Sequence, residues 1–452
     1  MQRLWLRLVF VCGLVRATAG FAGEPGQNHS ASVKPAVLQP VAANLIAKLT
    51  HDPRLYPRLV TLCDQFGPRL SGSSNLERAI DWILSEMARD GLTSAHGEPV
   101  MVPKWVRHEE RLSLLAPSFG ELPVLGLGGT VPTPPGGVTG DLLVVQSPDE
   151  LRPGSATGKI VVFSQPFGSY ETSVKLRLTG AVEAAKAGAV AALLRSLTPQ
   201  SLATPHTGVT VYAPDVPRIP FAAITTEDAD RLLRLSRAGV PMKARLVLQN
   251  EKLPDAASRN IVAEIRGRVA PDQIVVFGCH LDSWDVGQGA HDDAGSCVAG
   301  WHALLALREH KPAKTVRLVL WVNEENGSAG AKAYAARHGG EKHVLGLEAD
   351  AGIFRPTGFT FSGSDAALSK VKLVASLLGP LSATNVVMPG GGADLRPLQA
   401  QGVPVVGLRV EDGRYFTYHH SAADTVDKVD PADLGRVAAA LAVFVYGVAE
   451  LF

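Results

Sequence analysis

From Asn260 to the C-terminus, the chain alternates short runs of branched apolar residues with longer segments of helical periodicity. Such apolar runs, bounded by polar residues, are typical of buried strands. The predicted strands lie at residues 261–265, 274–279, 315–322, 343–348 and 405–410. The predicted helices lie at residues 294–309, 327–337, 365–378, 394–400 and 431–450. This alternation predicts an α/β fold in which helices flank a mixed, mostly parallel central sheet.

Histidines and carboxylates follow several of these strands or open the next helix. They are His280, Asp282, Asp292, Glu324, Glu325, Asp350, His419 and His420. The carboxyl ends of parallel strands meet at one edge of the sheet, so these side chains are expected to converge there. So many like charges need cations to neutralise them, and imidazoles with carboxylates suit zinc, with cobalt and manganese as alternatives. Singly, each residue could be a solvated strand end or a helix cap, so it is their recurrence that favours a metal site.

Two sets of neighbouring residues suggest separate roles for their members. One carboxylate of Glu324 and Glu325 can ligate a metal while the other moves a proton from metal-bound water to a leaving amine. Asp282 stands two residues after His280, where it can accept the second imidazole N–H and orient the ring of a metal ligand.

In this order, the motifs resemble the co-catalytic di-zinc exopeptidases of peptidase family M28. The matching segments are His-Leu-Asp at 280–282, Gly-Ala-His-Asp-Asp at 289–293, Glu-Glu at 324–325, Asp350, and His-Ser-Ala-Ala-Asp-Thr at 420–425. Segments 280–290, 67–73, 180–186 and 205–208 resemble the carboxypeptidase branch of that family most. The resemblance covers nearly the whole mature chain and implies the zinc exopeptidase fold.

The resemblance also implies a role for each residue. His280 and Asp350 would hold one zinc ion, Glu325 and His420 the other, and Asp292 would bridge them. Glu324 would be the general base and acid, and Asp282 would support His280. The two metals would share a hydroxide that attacks the peptide carbonyl. The family also implies a cis peptide after the bridging aspartate and a homodimer.

Two positions depart from this simple pattern. The choice of His420 over His419 depends on the family ligand directly preceding a serine, here Ser421. His291 places a third imidazole beside the bridging aspartate, where relatives have a different residue.

The domain prediction has four parts. Residues 1–22 read as a signal peptide, because Arg3 and Arg7 precede a short apolar run that small residues follow. Residues 23–117 and 251–452 would form the peptidase domain, the latter part carrying the metal site. Residues 118–250 would form a β-rich insert with a helix at 180–187, and the resemblance identifies it with a protease-associated domain.

Composition limits the remaining possibilities. The chain of 452 residues is 46% apolar and 19% charged, with a net charge of +1 and no basic stripe, so nothing indicates nucleic acid. The predicted signal peptide indicates a secreted or periplasmic protein with no membrane contact after cleavage. Cys63, Cys279 and Cys297 would remain, too few for a disulfide scaffold, and the sequence does not show whether Cys279 and Cys297 bond.

Three functions are compatible with these residues. The first is a carboxypeptidase or dipeptidase that cleaves small peptides with a free C-terminus. The second is an aminopeptidase with the same metals, and the pocket that would separate the two is not visible in the sequence. The third is a non-catalytic binding protein on the same fold, but such a protein should have lost ligands or the base, whereas this chain retains all of them.

Overall fold

A mixed β-sheet runs through the part of the chain that the computed structural model describes, residues 35–411 and 413–452. The predicted signal peptide lies outside these residues. The helices are α1 Pro35–Leu49, α2 Leu55–Phe66, α3 Ser74–Arg89, α4 Tyr170–Lys186, α5 Thr226–Arg237, α6 Gly295–Leu307, α7 Ala329–His338, α8 Asp365–Ala375, α9 Arg396–Gln399, α10 Tyr415–Tyr418 and α11 Pro431–Leu451. The strands are β1 His96–Ala116, β2 Gly120–Leu122, β3 Val124–Gly126, β4 Val138–Val145, β5 Ile160–Phe163, β6 Ala191–Arg195, β7 Phe221–Ile224, β8 Lys243–Ile265, β9 Ala270–His280, β10 Lys314–Trp321, β11 Lys342–Glu348, β12 Pro356–Ser362, β13 Asn385–Val387 and β14 Val405–Val410.

The central sheet has the order β13-β12-β14-β11-β9-β10-β8, and β1 pairs with β8. The strands β14, β11, β9 and β10 run parallel to one another. β8 is antiparallel to β10, and β12 is antiparallel to β14, which makes the sheet mixed. This confirms the predicted α/β class and its mixed, mostly parallel sheet. β12 and β13 were not among the predicted strands.

The central strands are buried on both faces, as their continuous apolar runs predict. One face of the sheet packs against α7 and α9 through residues such as Trp321, Tyr334 and Leu398. On the other face, the rings of Phe359 in β12 and Phe444 in α11 have their centroids 4.1 Å apart. α11 is long and apolar enough to cross a membrane, but it is buried along most of its length, as expected of a core helix.

The long strands β1 and β8 form an antiparallel ribbon that joins the central sheet to a second group of strands. At its near end, β8 pairs with β10; at its far end, β8 pairs with β4. From there the order continues through β5, β6 and β7, which run parallel, to β3. α4 and α5 belong to this module, which occupies the chain between β1 and β8. Its α4 begins at Tyr170, ahead of the predicted helix at 180–187, because Ser169 caps it by accepting from the Thr172 N–H.

Candidate metal centre

Parallel register brings the predicted site residues to one edge of the sheet. His280 at the end of β9 lies beside Trp321 at the end of β10, and Glu348 at the end of β11 lies beside Gly278. The loops that follow these strands therefore start at the same edge. They supply Glu324, Glu325 and Asp350, while Asp292 comes from an irregular turn, Ala290–Ala294, that precedes α6. The Asp292–Asp293 peptide bond in this turn is cis.

A first group forms around the imidazole of His280. Its Nε2 lies 3.1 Å from Asp292 Oδ1 and 3.5 Å from Asp350 Oδ1. Burial alone would lower the pKa of His280, but these two carboxylates outweigh burial and hold that pKa well above its ordinary value. The other ring nitrogen, Nδ1, lies 2.9 Å from the backbone carbonyl oxygen of Asp282. That contact leaves Nε2 directed at the carboxylates.

A second group forms around His420 and shares one member with the first. His420 Nε2 lies 3.0 Å from Glu325 Oε2 and 3.3 Å from Asp292 Oδ2. The two oxygens of Asp292 therefore face different histidines. His280 and Asp350 lie on one side of Asp292, and Glu325 and His420 lie on the other.

The carboxylates and imidazoles of the two groups are better neutralised by metal cations than by protonation alone. Glu325 Oε1 and Asp292 Oδ2 are buried and make no hydrogen bond of acceptable geometry. Burial raises the pKa of Glu325 to about 7, with the nearby charge of Asp292 adding to it. Carboxylate oxygens left unpaired in the interior are costly unless a cation compensates them. A buried set of carboxylates and imidazoles within reach of one another suits zinc.

The two adjacent histidines differ in their contacts. His419 Nε2 approaches Asp292 Oδ2 only to 3.6 Å, and no contact with Glu325 accompanies it. Its ring stacks on that of His420 with centroids 3.5 Å apart and meets the edge of Tyr170 at 5.1 Å. Burial holds the pKa of His419 well below its ordinary value. Of the two imidazoles, His420 is therefore the one placed among the carboxylates.

The carboxylate of Asp282 makes contacts that differ from the predicted one. Its Oδ1 is 3.9 Å from His280 Nδ1, which bonds to the backbone carbonyl of Asp282 instead. The carboxylate accepts from the Glu324 backbone N–H at 3.1 Å and from Ser71 Oγ at 3.1 Å. Asp282 thus touches His280 through its main chain and holds the backbone of Glu324 through its side chain.

Glu324 is the carboxylate that the structure leaves outside both groups. Its side chain is half-buried and makes no hydrogen bond within the described residues. Burial, together with the charges of Asp350 and Glu325, raises the pKa of Glu324 well above its ordinary value. A carboxyl group whose pKa is raised in this way can accept and release a proton, so Glu324 is suited to proton transfer.

Sequence reasoning did not single out two residues that hold the loops of the site. Fully buried Arg69 donates to the backbone oxygens of Leu281, Gln288 and Gly289 at 2.8–3.0 Å. Asp424 accepts from the backbone N–H groups of His291 and Asp292 at 2.8 and 3.1 Å. Arg69 lies in the loop 67–73 and Asp424 in the segment 420–425, both of which resemble the family. Their contacts join residues that are far apart in the sequence, so no local pattern predicts them.

The module between β1 and β8 reaches the same histidine. The Thr207 backbone N–H donates to the backbone oxygen of His420 at 2.9 Å, and Thr207 O lies 3.3 Å from His420 Nδ1. Tyr170 of α4 stacks on Phe416 with centroids 5.0 Å apart and meets His419 edge-on at 5.1 Å. The module therefore forms part of the wall of the site.

Comparison with known proteins identifies the family. The model of Peptidase family M28 matches residues 260–445. Carboxypeptidase Q of Mus musculus is 44% identical over 414 residues, which cover 90% of this chain and 88% of that protein. The chain belongs to peptidase family M28. This confirms the family and the zinc metallo-exopeptidase class that the order of motifs predicts.

Solved structures agree with the M28 assignment. The crystal structure of a peptidase M28 precursor from Shewanella amazonensis has a TM-score of 0.89 and 32% identity, covering 92% of this chain and 97% of that one. The structure of a zinc aminopeptidase from Bacillus subtilis has a TM-score of 0.67, covering 87% of this chain and 94% of that one. At 19% identity the second likeness shows the fold alone.

The sequence left two points open beside the candidate ligands of the M28 chain: the orientation of His291 and the bonding of Cys279 and Cys297. The ring of His291 turns away from the carboxylates: its Nδ1 accepts from the Ile353 N–H at 3.1 Å, and its face stacks on Phe354. Cys279 and Cys297 are both free, with their sulfur atoms 2.9 Å apart. Neither feature adds a ligand to the two groups.

A cavity of about 350 Å³ opens beside Asp350. Its lining residues are Glu171, Glu348, Asp350, Ala351, Thr360, Gly391, Gly392, Gly407, Leu408, Arg409, Val410, Tyr415 and Phe416. A concave site of this size, next to convergent polar groups, is where an M28 peptidase would receive a small substrate.

Proposed function

We propose that this M28 peptidase is a di-zinc exopeptidase that hydrolyses small peptides or dipeptides with a free C-terminus. The observation that carries the proposal is the sharing of Asp292 between two carboxylate–imidazole groups, with Glu324 beside them and a small cavity next to Asp350. The 44% identity to carboxypeptidase Q over most of the chain supports the carboxypeptidase direction.

His280 and Asp350 would hold one zinc ion, and Glu325 and His420 would hold the other, with Asp292 between them. Bound zinc would polarise the scissile carbonyl group and lower the pKa of water at the site. The protein's own contribution is orientation. The Asp282 backbone oxygen fixes the ring of His280, and Thr207 O lies within reach of Nδ1 of His420.

Glu324 would carry the proton. Its raised pKa lets the carboxylate take a proton from the attacking water and return it to the nitrogen of the leaving amine. The Asp282 carboxylate holds the Glu324 backbone, so the position of this group does not depend on the metals alone. The roles are thus divided between ligands that hold cations and one carboxylate that moves a proton.

The organisation of the whole chain forms part of the proposal. Residues 1–22 would be a signal peptide and direct the protein to a secreted or periplasmic location. Residues 118–250 would be a protease-associated insert, carried between β1 and β8 of a peptidase domain formed by 23–117 and 251–452. The protein would be a homodimer and would make no membrane contact after the signal peptide is cleaved.

An aminopeptidase is the second candidate. The Bacillus subtilis enzyme with the same fold is a zinc aminopeptidase, and Glu171 and Glu348 give the cavity acidic groups that suit an N-terminal ammonium. A non-catalytic binding protein has less support, because the candidate ligands cluster around the shared aspartate and the charge of Glu324 lies close enough to interact with theirs.

The deciding experiment compares two substrates with the zinc-loaded protein. One is an N-acetylated dipeptide with a free carboxylate, and the other is the same dipeptide with a free amino group and a C-terminal amide. A carboxypeptidase should cleave the first and leave the second. Cleavage of only the amidated peptide would establish the aminopeptidase instead, and cleavage of neither would favour a binding protein.

Glu324→Gln tests the proton-transfer role. The variant should retain the zinc content of the unaltered protein and lose about 10²–10⁴-fold in kcat, the range typical of general acid–base catalysis. Glu309→Gln, at an exposed carboxylate outside the site, is the matched control. Near-normal turnover by the Glu324 variant would refute the assigned role.

Zinc stoichiometry separates the two histidines. Because His420 contacts both Glu325 and Asp292, His420→Ala should lower the zinc content from two ions per chain to one. His419→Ala should retain both ions. The opposite result, with one zinc lost only in the His419 variant, would reverse the assignment.

A further inference from the structure

Arg409 occupies an unusual position in the wall of the cavity. In the parallel pair of β11 and β14, Glu348 lies beside Gly407, so Arg409, two residues on, points to the same face as Glu348. That face carries the cavity, since Glu348, Gly407 and Arg409 all line it. On the opposite face, Phe359 of β12 packs on Phe444 of α11.

Arg409 shares the cavity wall with a predicted zinc ligand. Arg409 lines the cavity from β14, and Asp350 lines it from the loop that follows β11. Across the antiparallel pair, Arg409 faces Gly358, which has no side chain to occupy the space beside it.

Arg409 is half-buried, yet it has no ion-pair partner among the described residues. Two arginines of low exposure, Arg107 and Arg317, are paired with carboxylates, whereas fully buried Arg69 donates to backbone oxygens. Of the acids that line the cavity, Glu348 accepts from the Asp394 and Leu395 N–H groups, Asp350 faces His280, and Glu171 is exposed. A partly desolvated guanidinium that no described carboxylate neutralises is suited to binding an anion.

We propose that Arg409 binds the α-carboxylate of the substrate's C-terminal residue and thereby selects peptides with a free C-terminus. The inference rests on the carboxypeptidase function proposed above and names the residue that recognises the C-terminus of the substrate. The α-carboxylate lies one residue from the scissile bond, a distance of at most about 3.6 Å along the chain. Its receptor must therefore lie in the same cavity as a metal ligand, as Arg409 does with Asp350.

The geometry of the group suits the task. A guanidinium offers a planar pair of N–H donors that matches the two oxygens of a carboxylate, whereas a lysine ammonium offers a point charge. Arg414, five residues on, has a different environment. It is exposed, lies over the ring of Phe354, and does not line the cavity beside Asp350, although both arginines line a neighbouring cavity with Glu411. It therefore serves as a matched control.

The test measures kcat and KM of the zinc-loaded enzyme for an N-acetylated dipeptide and for its C-terminal amide. Arg409→Gln should lower kcat/KM for the free acid by about 10- to 100-fold, chiefly through KM, because one charge-assisted contact is lost. The amide should be little affected, so the preference for the free acid should collapse. Arg409→Lys should retain an intermediate preference, and Arg414→Gln should retain all of it.

A second measurement does not depend on turnover. The amino acid released from the C-terminus should inhibit the unaltered enzyme more strongly than its amide does, and Arg409→Gln should abolish that difference. Thermal unfolding of each variant shows whether the fold and the zinc are intact.

The outcomes separate the two proposals. If the unaltered enzyme prefers the free acid and Arg409→Gln keeps that preference, the assignment of Arg409 is overturned while the carboxypeptidase stands. If the unaltered enzyme requires a free N-terminus and ignores the C-terminal amide, the proposed function itself fails. If Arg409→Gln instead changes only the discrimination between C-terminal glutamate and glutamine, the arginine reads a side chain, and the inference is wrong.

Discussion

Replacing Asp282 with asparagine should separate zinc binding from proton transfer. The His280 ring is held by the backbone oxygen of Asp282, which the substitution leaves in place. The carboxylate instead holds the Glu324 N–H and Ser71 Oγ, both at 3.1 Å. The variant should therefore disturb the proton-transfer group and spare the ligand.

The expected magnitude follows from these contacts. Asparagine keeps one oxygen for the Glu324 N–H but no charge, and a hydrogen bond to a charged group contributes about 1.5–3 kcal/mol against about 1 kcal/mol for a neutral one. We expect a loss of about 0.5–2 kcal/mol in the orientation of Glu324. Since 1.36 kcal/mol is a factor of ten in rate, kcat should fall about 2- to 30-fold.

The assay combines kcat with zinc affinity, measured by competition with a chromogenic chelator. Zinc affinity should change less than about threefold, because the contact to His280 is retained. Had the carboxylate oriented the imidazole, its loss would cost about 10–100-fold in metal affinity. A fall in zinc affinity of that size with normal kcat in the fully loaded enzyme would refute the reasoning. Ser71→Ala, which removes the partner of Oδ2 and an acceptor of Asn323 Nδ2 but leaves the bond to the Glu324 N–H, is the control and should alter neither quantity by more than a fewfold.

Two further predictions concern packing and pH. A Cβ at Gly128 would lie 2.0 Å from the ring of Trp284, so Gly128→Ala should destabilise the protein by about 1–3 kcal/mol in thermal unfolding and reduce activity. Gly120→Ala, where a Cβ meets nothing within 4 Å, should do neither; equal effects of the two would contradict the steric account. The hydrogen bond to Glu98 raises the pKa of His338 above its ordinary value, so this histidine stabilises the fold below pH about 6.5 and loses that effect as pH rises through its folded pKa. Chemical unfolding should therefore show His338→Gln to be more destabilising at pH 5.5 than at pH 9, and a cost independent of pH would exclude this linkage.

The buried strands were predictable because their sequences are distinctive. β9 and β10 are buried on both faces, so they read as unbroken apolar runs ended by polar residues. β12 and β13 were missed, because Pro356 and Gly358 interrupt the first and the second has only three residues. Their packing against neighbours, and not their own sequence, makes them strands.

The convergence of the candidate site residues was predictable, but their individual contacts were not. The positions of His280, Glu325 and Asp350 follow from the direction of parallel strands. The use of the Asp282 carbonyl in place of its carboxylate depends on the local path of the backbone, which residue types do not encode. Arg409 gave no signal in the sequence, because its interest comes from lining the same cavity as Asp350, which lies on a different element.

The most direct test of the metal centre is anomalous diffraction at the zinc edge from crystals of the zinc-loaded protein. Two peaks are predicted on either side of Asp292, one against His280 and Asp350 and the other against Glu325 and His420. The carboxylate of Glu324 should contact neither ion. A single peak, or a second ion coordinated by Glu324, would contradict the division between ligands and the proton-transfer carboxylate.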